Sequence, residues 1–184
     1  MSKINKIKKK DRPYSVVPYN PQWAERYEEE KKIIAGIFKE NALRIEHIGS
    51  TSVEGMWAKP QIDVLVTVED LQMVDKFIDQ MESKGYVYQA DFNKHNERYF
   101  TRDVSSGERL VSVHIMQKDN PKAPSLIYLR EYLQQNPKDR DLYSRIKKEA
   151  YESGVDRAEY PERKKEVLDA MIKRAEEWHS KNED

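Results

Sequence analysis

The chain has 184 residues, enough for one domain with a real core, and its 38% apolar and 36% charged residues place that core beneath a heavily charged surface. Lysine plus arginine equal aspartate plus glutamate at 33 each, so overall charge gives no pull toward nucleic acid. The lack of cysteine excludes disulfides, thiolate zinc sites and thiol nucleophiles, and no apolar run approaches the ~20 residues of a membrane span. A cytoplasmic protein with no membrane partner is therefore expected.

The start, MSKINKIKKKDRP, is basic but lacks the apolar block of a signal peptide. Residues 1–15 are expected to be a mobile arm ahead of a single domain over 16–180. Asn20 and Pro21 suit the cap and first position of a helix, along which Trp23, Tyr27, Ile34, Ile37 and Phe38 recur at helical spacing. LRIEHI alternates like a strand and QIDVLVTV reads as a second, rich in β-branched residues. Leu71, Val74, Phe77, Ile78 and Met81 mark one amphipathic helix that stops at Gly85. YVYQ is a short strand, and RYFTRDV and RLVSVHIMQ flank SSGE as a hairpin. From Pro121 onward three helices are separated by proline or glycine. This order predicts an α+β fold: a mixed β-sheet flanked by helices, with a helical C-terminal third.

The stretch HIGSTSVEGMWAKPQIDVLV carries the chemistry. Gly49 after a strand permits close backbone approach to a ligand, successive N–H groups can form an anion-binding nest, and Ser50, Thr51 and Ser52 add hydroxyl donors. An ordinary capping turn would use the same residues. Asp63 sits in an apolar strand and shares a face with Leu65, so it must be paired, hydrogen-bonded or metal-bound; an ion pair with Lys59 is one alternative. His114 on the last strand is a second candidate for metal binding or proton transfer, or a hydrogen-bonded strand histidine. Tyr128, Tyr132 and Tyr143 fit core positions better than base-stacking ones.

That stretch resembles the signature of the GrpB family, and the likeness continues through NPQW, RYF, VHIMQ, YLREYL, a Tyr143–Lys147 pair and YPERKKE. Glu54 stands where the family usually has proline. The resemblance implies the nucleotidyltransferase superfold, in which a Gly-Ser turn precedes an Asp-x-Asp strand. Here twelve residues separate Ser50 from Asp63, and Leu65 stands in place of the second acid. It further implies a small phosphorylated ligand, a nucleotide or coenzyme, held by Gly49, Ser50, Thr51, Ser52, Lys59, His47, Arg98, Arg130 and Lys147, with Arg102 and Lys164 as further cations. Asp63 and His114 would be catalytic and would seat a divalent metal, Mg²⁺ or Mn²⁺. Three functions remain open: nucleotidyl transfer to an acceptor, a ligand-binding or regulatory module that has lost transfer chemistry, or a different metal- or histidine-dependent phosphate-ester chemistry. Family relatives fused to a dephospho-coenzyme A kinase point toward coenzyme metabolism by association.

Overall fold

The computed structural model describes residues 11–91 and 96–182. Helix α1 (Gln22–Phe38) begins where Asn20 Oδ1 accepts from the Gln22 amide at 3.0 Å, and its apolar stripe buries Trp23, Ile34 and Phe38. Strand β1 (Ala42–Ile48) runs into a 3₁₀ turn at Ser50–Ser52, and β2 (Ile62–Val68) follows. Next come α2 (Leu71–Val74), a 3₁₀ turn at Asp75–Phe77 and α3 (Ile78–Ser83). The single helix expected here is thus interrupted, at the point where Asp75 receives two hydrogen bonds from Arg98 of the sheet. The short β3 (Val87–Tyr88) precedes the hairpin of β4 (Glu97–Asp103) and β5 (Arg109–Gln117).

The strand order is β1-β2-β5-β4-β3, with β2 and β5 parallel and every other pair antiparallel. Alternation along β2 divides the two faces. Ile62, Val64, Val66 and Val68 join Val113, Ile115 and Phe100 in the main core beneath α1 and α2. Leu65 faces the other way and packs with Ile48, Met116, Ala123 and Ile127 under α4 (Lys122–Gln135).

The C-terminal third contains α4, α5 (Pro137–Glu152), a one-turn α6 (Tyr160–Arg163) and α7 (Lys165–Ser180). The third helix expected from the sequence therefore breaks at Lys164, which sits between α6 and α7. Val53 and Met56, from the chain after the Gly-Ser turn, bury against Tyr132, Tyr143 and Met171 of these helices. Tyr128 packs beside them, as its core assignment required.

Of the expected N-terminal arm, residues 1–10 lie outside the described residues. The rest is not loose: Arg12 pairs with Asp103, and the Tyr14 hydroxyl donates to the Val155 carbonyl at 2.6 Å. The ordered domain thus starts earlier than residue 16, because a tyrosine ring finds Tyr151 and Tyr160 to pack on. No helix among the described residues is long and apolar enough to cross a membrane.

Candidate functional site

The turn between β1 and β2 is built around one constraint. Gly49 has φ 73° and ψ −173°, a region essentially restricted to glycine. A Cβ there would lie 2.6 Å from Asp63 Oδ2, so the glycine also makes room for the carboxylate. Behind it, the buried Thr51 hydroxyl donates to the Gln61 carbonyl at 3.0 Å. Its oxygen therefore takes the Nε2–H of His47, also at 3.0 Å. Ser52 Oγ donates back to the Gly49 carbonyl at 2.6 Å. These two hydroxyls hold the turn together, while Ser50 lines the cleft on both sides.

Two adjoining cavities share Ser50, Asp63 and Lys164. The larger, about 250 Å³, lies between the β1–β2 turn and helices α4 and α7 and takes in Gly49, His114, Lys122 and Arg130. The smaller, about 160 Å³, is lined by Lys59, Gln61, Lys147 and Tyr160. Five cations (Lys59, Lys122, Arg130, Lys147 and Lys164) line the pair against one carboxylate, Asp63. A neutral chain thus carries a basic cleft.

Asp63 and His114 fall on one face of adjacent strands, as their parity predicted. The register places Asp63 beside Ser112 and Leu65 beside His114. Gln61 Nε2 holds Asp63 Oδ1 at 2.6 Å and also reaches Ser112 Oγ at 3.1 Å. Ser112 in turn meets the Tyr99 hydroxyl at 2.8 Å, and Arg109 donates to that hydroxyl at 3.1 Å. His114 hydrogen-bonds through Nδ1 to Glu97, a carboxylate 2% exposed that also takes Lys122 Nζ at 3.0 Å. Burial works to raise the Glu97 pKa, but the hydrogen bonds and charges of His114 and Lys122 prevail and hold it below the usual range. With Glu97 on Nδ1, His114 keeps Nε2 for the cleft.

Lys147 is the most unusual group here. It is 2% exposed, and its Nζ has no hydrogen-bond partner among the described residues. The ammonium lies 4.6 Å from the Tyr143 ring centre, and Lys164 donates to the Tyr143 hydroxyl at 3.0 Å. Burial, then the neighbouring charges of Lys164 and Lys59, push its pKa well below the ordinary lysine value. The Tyr160 hydroxyl is also buried without a partner at the same cavity.

Several expected site residues lie elsewhere. His47 pairs with Val64 in register and so points to the opposite sheet face, stacked on Tyr27 at 4.7 Å. Burial, with a smaller push from Arg130, lowers its pKa to about 4. Arg98 and Arg102 also face away, being out of phase with Tyr99; Arg98 pairs with Asp75 and Arg102 with the buried Glu30. Thr51 lines the smaller cavity while its hydroxyl is spent on the Gln61 carbonyl, and the Ser52 hydroxyl is spent on the Gly49 carbonyl. Arg130 does line the cleft, held there by Glu46 at 2.8 Å and the His47 carbonyl at 3.0 Å. Leu65 is fully buried under α4, so the position of the missing acid is core.

The residues not expected from the sequence are Gln61, Glu97, Tyr99, Ser112, Lys122 and Tyr160. Strand parity held the signal for four of them: Gln61 is two before Asp63, Ser112 two before His114, and the hairpin register puts Tyr99 and Glu97 on the same face. Asp63 and His114 supply one carboxylate and one imidazole. Among the described residues no group of three or more His, Cys, Asp or Glu is placed to hold a metal ion. A Mg²⁺ or Mn²⁺ beside Asp63 would take most of its oxygen ligands from water or from a bound phosphate.

A mixed sheet whose Gly-Ser turn and strand carboxylate meet a basic helical layer defines an α+β domain with a basic cleft. The chain belongs to the GrpB family, whose model matches residues 13–174. The crystal structure of the conserved protein GrpB from Enterococcus faecalis is similar with a TM-score of 0.84 and 35% identity, covering 90% of this chain and 99% of that one. The YqkA protein of Bacillus subtilis is 33% identical over 138 residues, which are 75% of this chain but 40% of YqkA. A dephospho-CoA kinase of Mycobacterium tuberculosis is 29% identical over 164 residues, again 75% of this chain and 40% of the relative.

Proposed function

We propose that this domain binds a small phosphorylated ligand, a nucleotide or coenzyme, with its phosphates in the smaller cavity. The observation that carries this reading is the buried, unpartnered Lys147 Nζ beside Lys59 and Lys164. Three cations converging on one cavity repel one another, and a polyanion relieves that repulsion while supplying the acceptor Lys147 lacks. Ser50 at the mouth adds a hydroxyl donor, and the aligned relative named as a dephospho-CoA kinase favours a coenzyme. Thermal shift with pyrophosphate, ADP and coenzyme A tests it. A ligand at a hundredfold excess over its Kd should stabilise the domain by about 2.7 kcal/mol. The effect should weaken with salt and vanish in Lys147→Met. No shift with any of the three anions would refute phosphate binding.

A second reading, transfer or hydrolysis of a phosphate ester, is favoured by the Glu97–His114 pair at the larger cavity. A carboxylate on Nδ1 fixes the imidazole so that Nε2 can take a proton from an attacking hydroxyl. Turnover of ATP or coenzyme A that disappears in His114→Ala and falls in Glu97→Gln would support it. Ligand binding without turnover leaves the domain as a binding module.

A further inference from the structure

We propose that the ligand's non-phosphate part is a flexible aliphatic chain rather than a nucleobase, and that the larger cavity receives it. This inference rests on the phosphate reading of the smaller cavity and names the class of compound. The larger cavity is walled by Ile48, Val53, Leu126, Leu129, Leu133 and Leu168, from the end of β1, the loop after the turn, α4 and α7. Its cations are already engaged: Lys122 with Glu97, Arg130 with Glu46 and the His47 carbonyl, and Lys164 with the Tyr143 hydroxyl.

A nucleobase needs a flat ring to stack on and polar groups free to read its edges. Two rings line this cavity, Tyr143 and the imidazole of His114. The Tyr143 face already carries Lys147 at 4.6 Å and Lys164 at 5.5 Å, and its hydroxyl accepts from Lys164. His114 packs against Tyr99 at 4.7 Å and holds Glu97 through Nδ1, which leaves a base little beyond one imidazole edge. The cavity gives an alkyl chain six branched aliphatic side chains, for which burial of methylenes is the driving force.

The two cavities meet at Ser50, Asp63 and Lys164, so one molecule can span them. Lys59 and Lys147 line only the smaller cavity and, with Lys164 at the junction, draw the phosphate head to that side. The occupant is then an amphiphile: an anionic phosphate or diphosphate head, a short neck and an apolar tail. A pantetheine-like arm and an alkyl or isoprenoid phosphate share this chemistry.

Calorimetric titration of the full chain with inorganic phosphate, methyl, butyl and hexyl phosphate and AMP tests the idea without any variant. Affinity should rise roughly fourfold per added methylene until the cavity is full, and AMP should bind more weakly than hexyl phosphate. In Leu168→Trp, which fills the tail cavity, the alkyl series should collapse to the affinity of methyl phosphate. A substitution that instead unfolds the chain leaves the native series to decide. Equal affinities across the alkyl series, or AMP tighter than hexyl phosphate, would overturn the aliphatic assignment and leave phosphate binding standing. Failure of every compound, inorganic phosphate included, would overturn both.

Discussion

Replacing Lys147 by methionine separates stability from binding at a single atom. The two side chains have similar length, so Met refills the space over Tyr143 and removes only the buried amine. An unsatisfied buried polar group costs about 1–3 kcal/mol, so Lys147→Met should stabilise the ligand-free domain by that amount. For a domain of this size each kcal/mol moves Tm by roughly 2–4 °C, which predicts a rise of about 2–12 °C. The pH dependence gives a second signature. Because burial and the adjacent lysines lower the Lys147 pKa, the folded chain binds fewer protons there than the unfolded chain does. Its contribution to stability is full above the unfolded pKa of about 10.4 and is lost as pH falls toward the depressed folded value. Native stability should therefore gain from pH 7 to pH 10 relative to the variant. Calorimetric unfolding at several pH values, with and without pyrophosphate, measures all of this. A variant that is less stable than the parent, or that still binds pyrophosphate, would show that Lys147 is a packing element over Tyr143 and not an anion ligand.

Gly49→Ala should cost about 1–3 kcal/mol for the backbone region alone, and displacing the Asp63 carboxylate adds to it. Gly36→Ala, in the last turn of α1 with open space around its Cβ, should instead gain up to about 1 kcal/mol, and thermal melts of the pair check the contrast. His47 is held neutral at a pKa of about 4, so stability is full above the unfolded value of about 6.5 and falls, by up to about 3 kcal/mol, as pH drops toward 4. Urea unfolding of the parent against His47→Gln at pH 7 and pH 5 should show the parent's larger acid loss. Leu65→Asp, which puts a second carboxylate two residues after Asp63, should destabilise by roughly 3–5 kcal/mol because it buries an unpaired charge under α4. A folded Leu65→Asp protein with unchanged urea midpoint would contradict that placement.

Element identity was largely legible because hydrophobic period and turn chemistry act locally. The Asn20 cap, the β4–β5 hairpin and the shared face of Asp63 and His114 follow from spacing alone. Cations were harder. Arg98 and Lys147 look alike in a sequence, yet one neighbours Asp75 on the far face and the other is buried at the cleft. Only the packing of α5 against the loop after the turn makes that distinction. The hydroxyls of Thr51 and Ser52 have a local use that spacing does not reveal: a turn must satisfy its own backbone first. Glu97 was readable in principle, since the hairpin register brings Glu97 and His114 onto one face, but the pairing had to be known.

The break at Lys164 and the packing of α5 on the Gly-Ser loop bear on the order in which this molecule becomes functional. The carboxylate, the imidazole and the glycine turn all belong to the first 114 residues, within a sheet that is complete at Gln117. Arg130, Lys147 and Lys164 arrive only afterwards, as does the aliphatic wall from α4 and α7. A chain emerging in order from its N-terminus therefore carries a half-site in which Lys59 balances Asp63, with Val53 and Met56 bare. The last helices cover those side chains and add Lys122, Arg130, Lys147 and Lys164 to the cleft. Charge and shelter come from the same elements, so a fully folded sheet without them would have little hold on an anion.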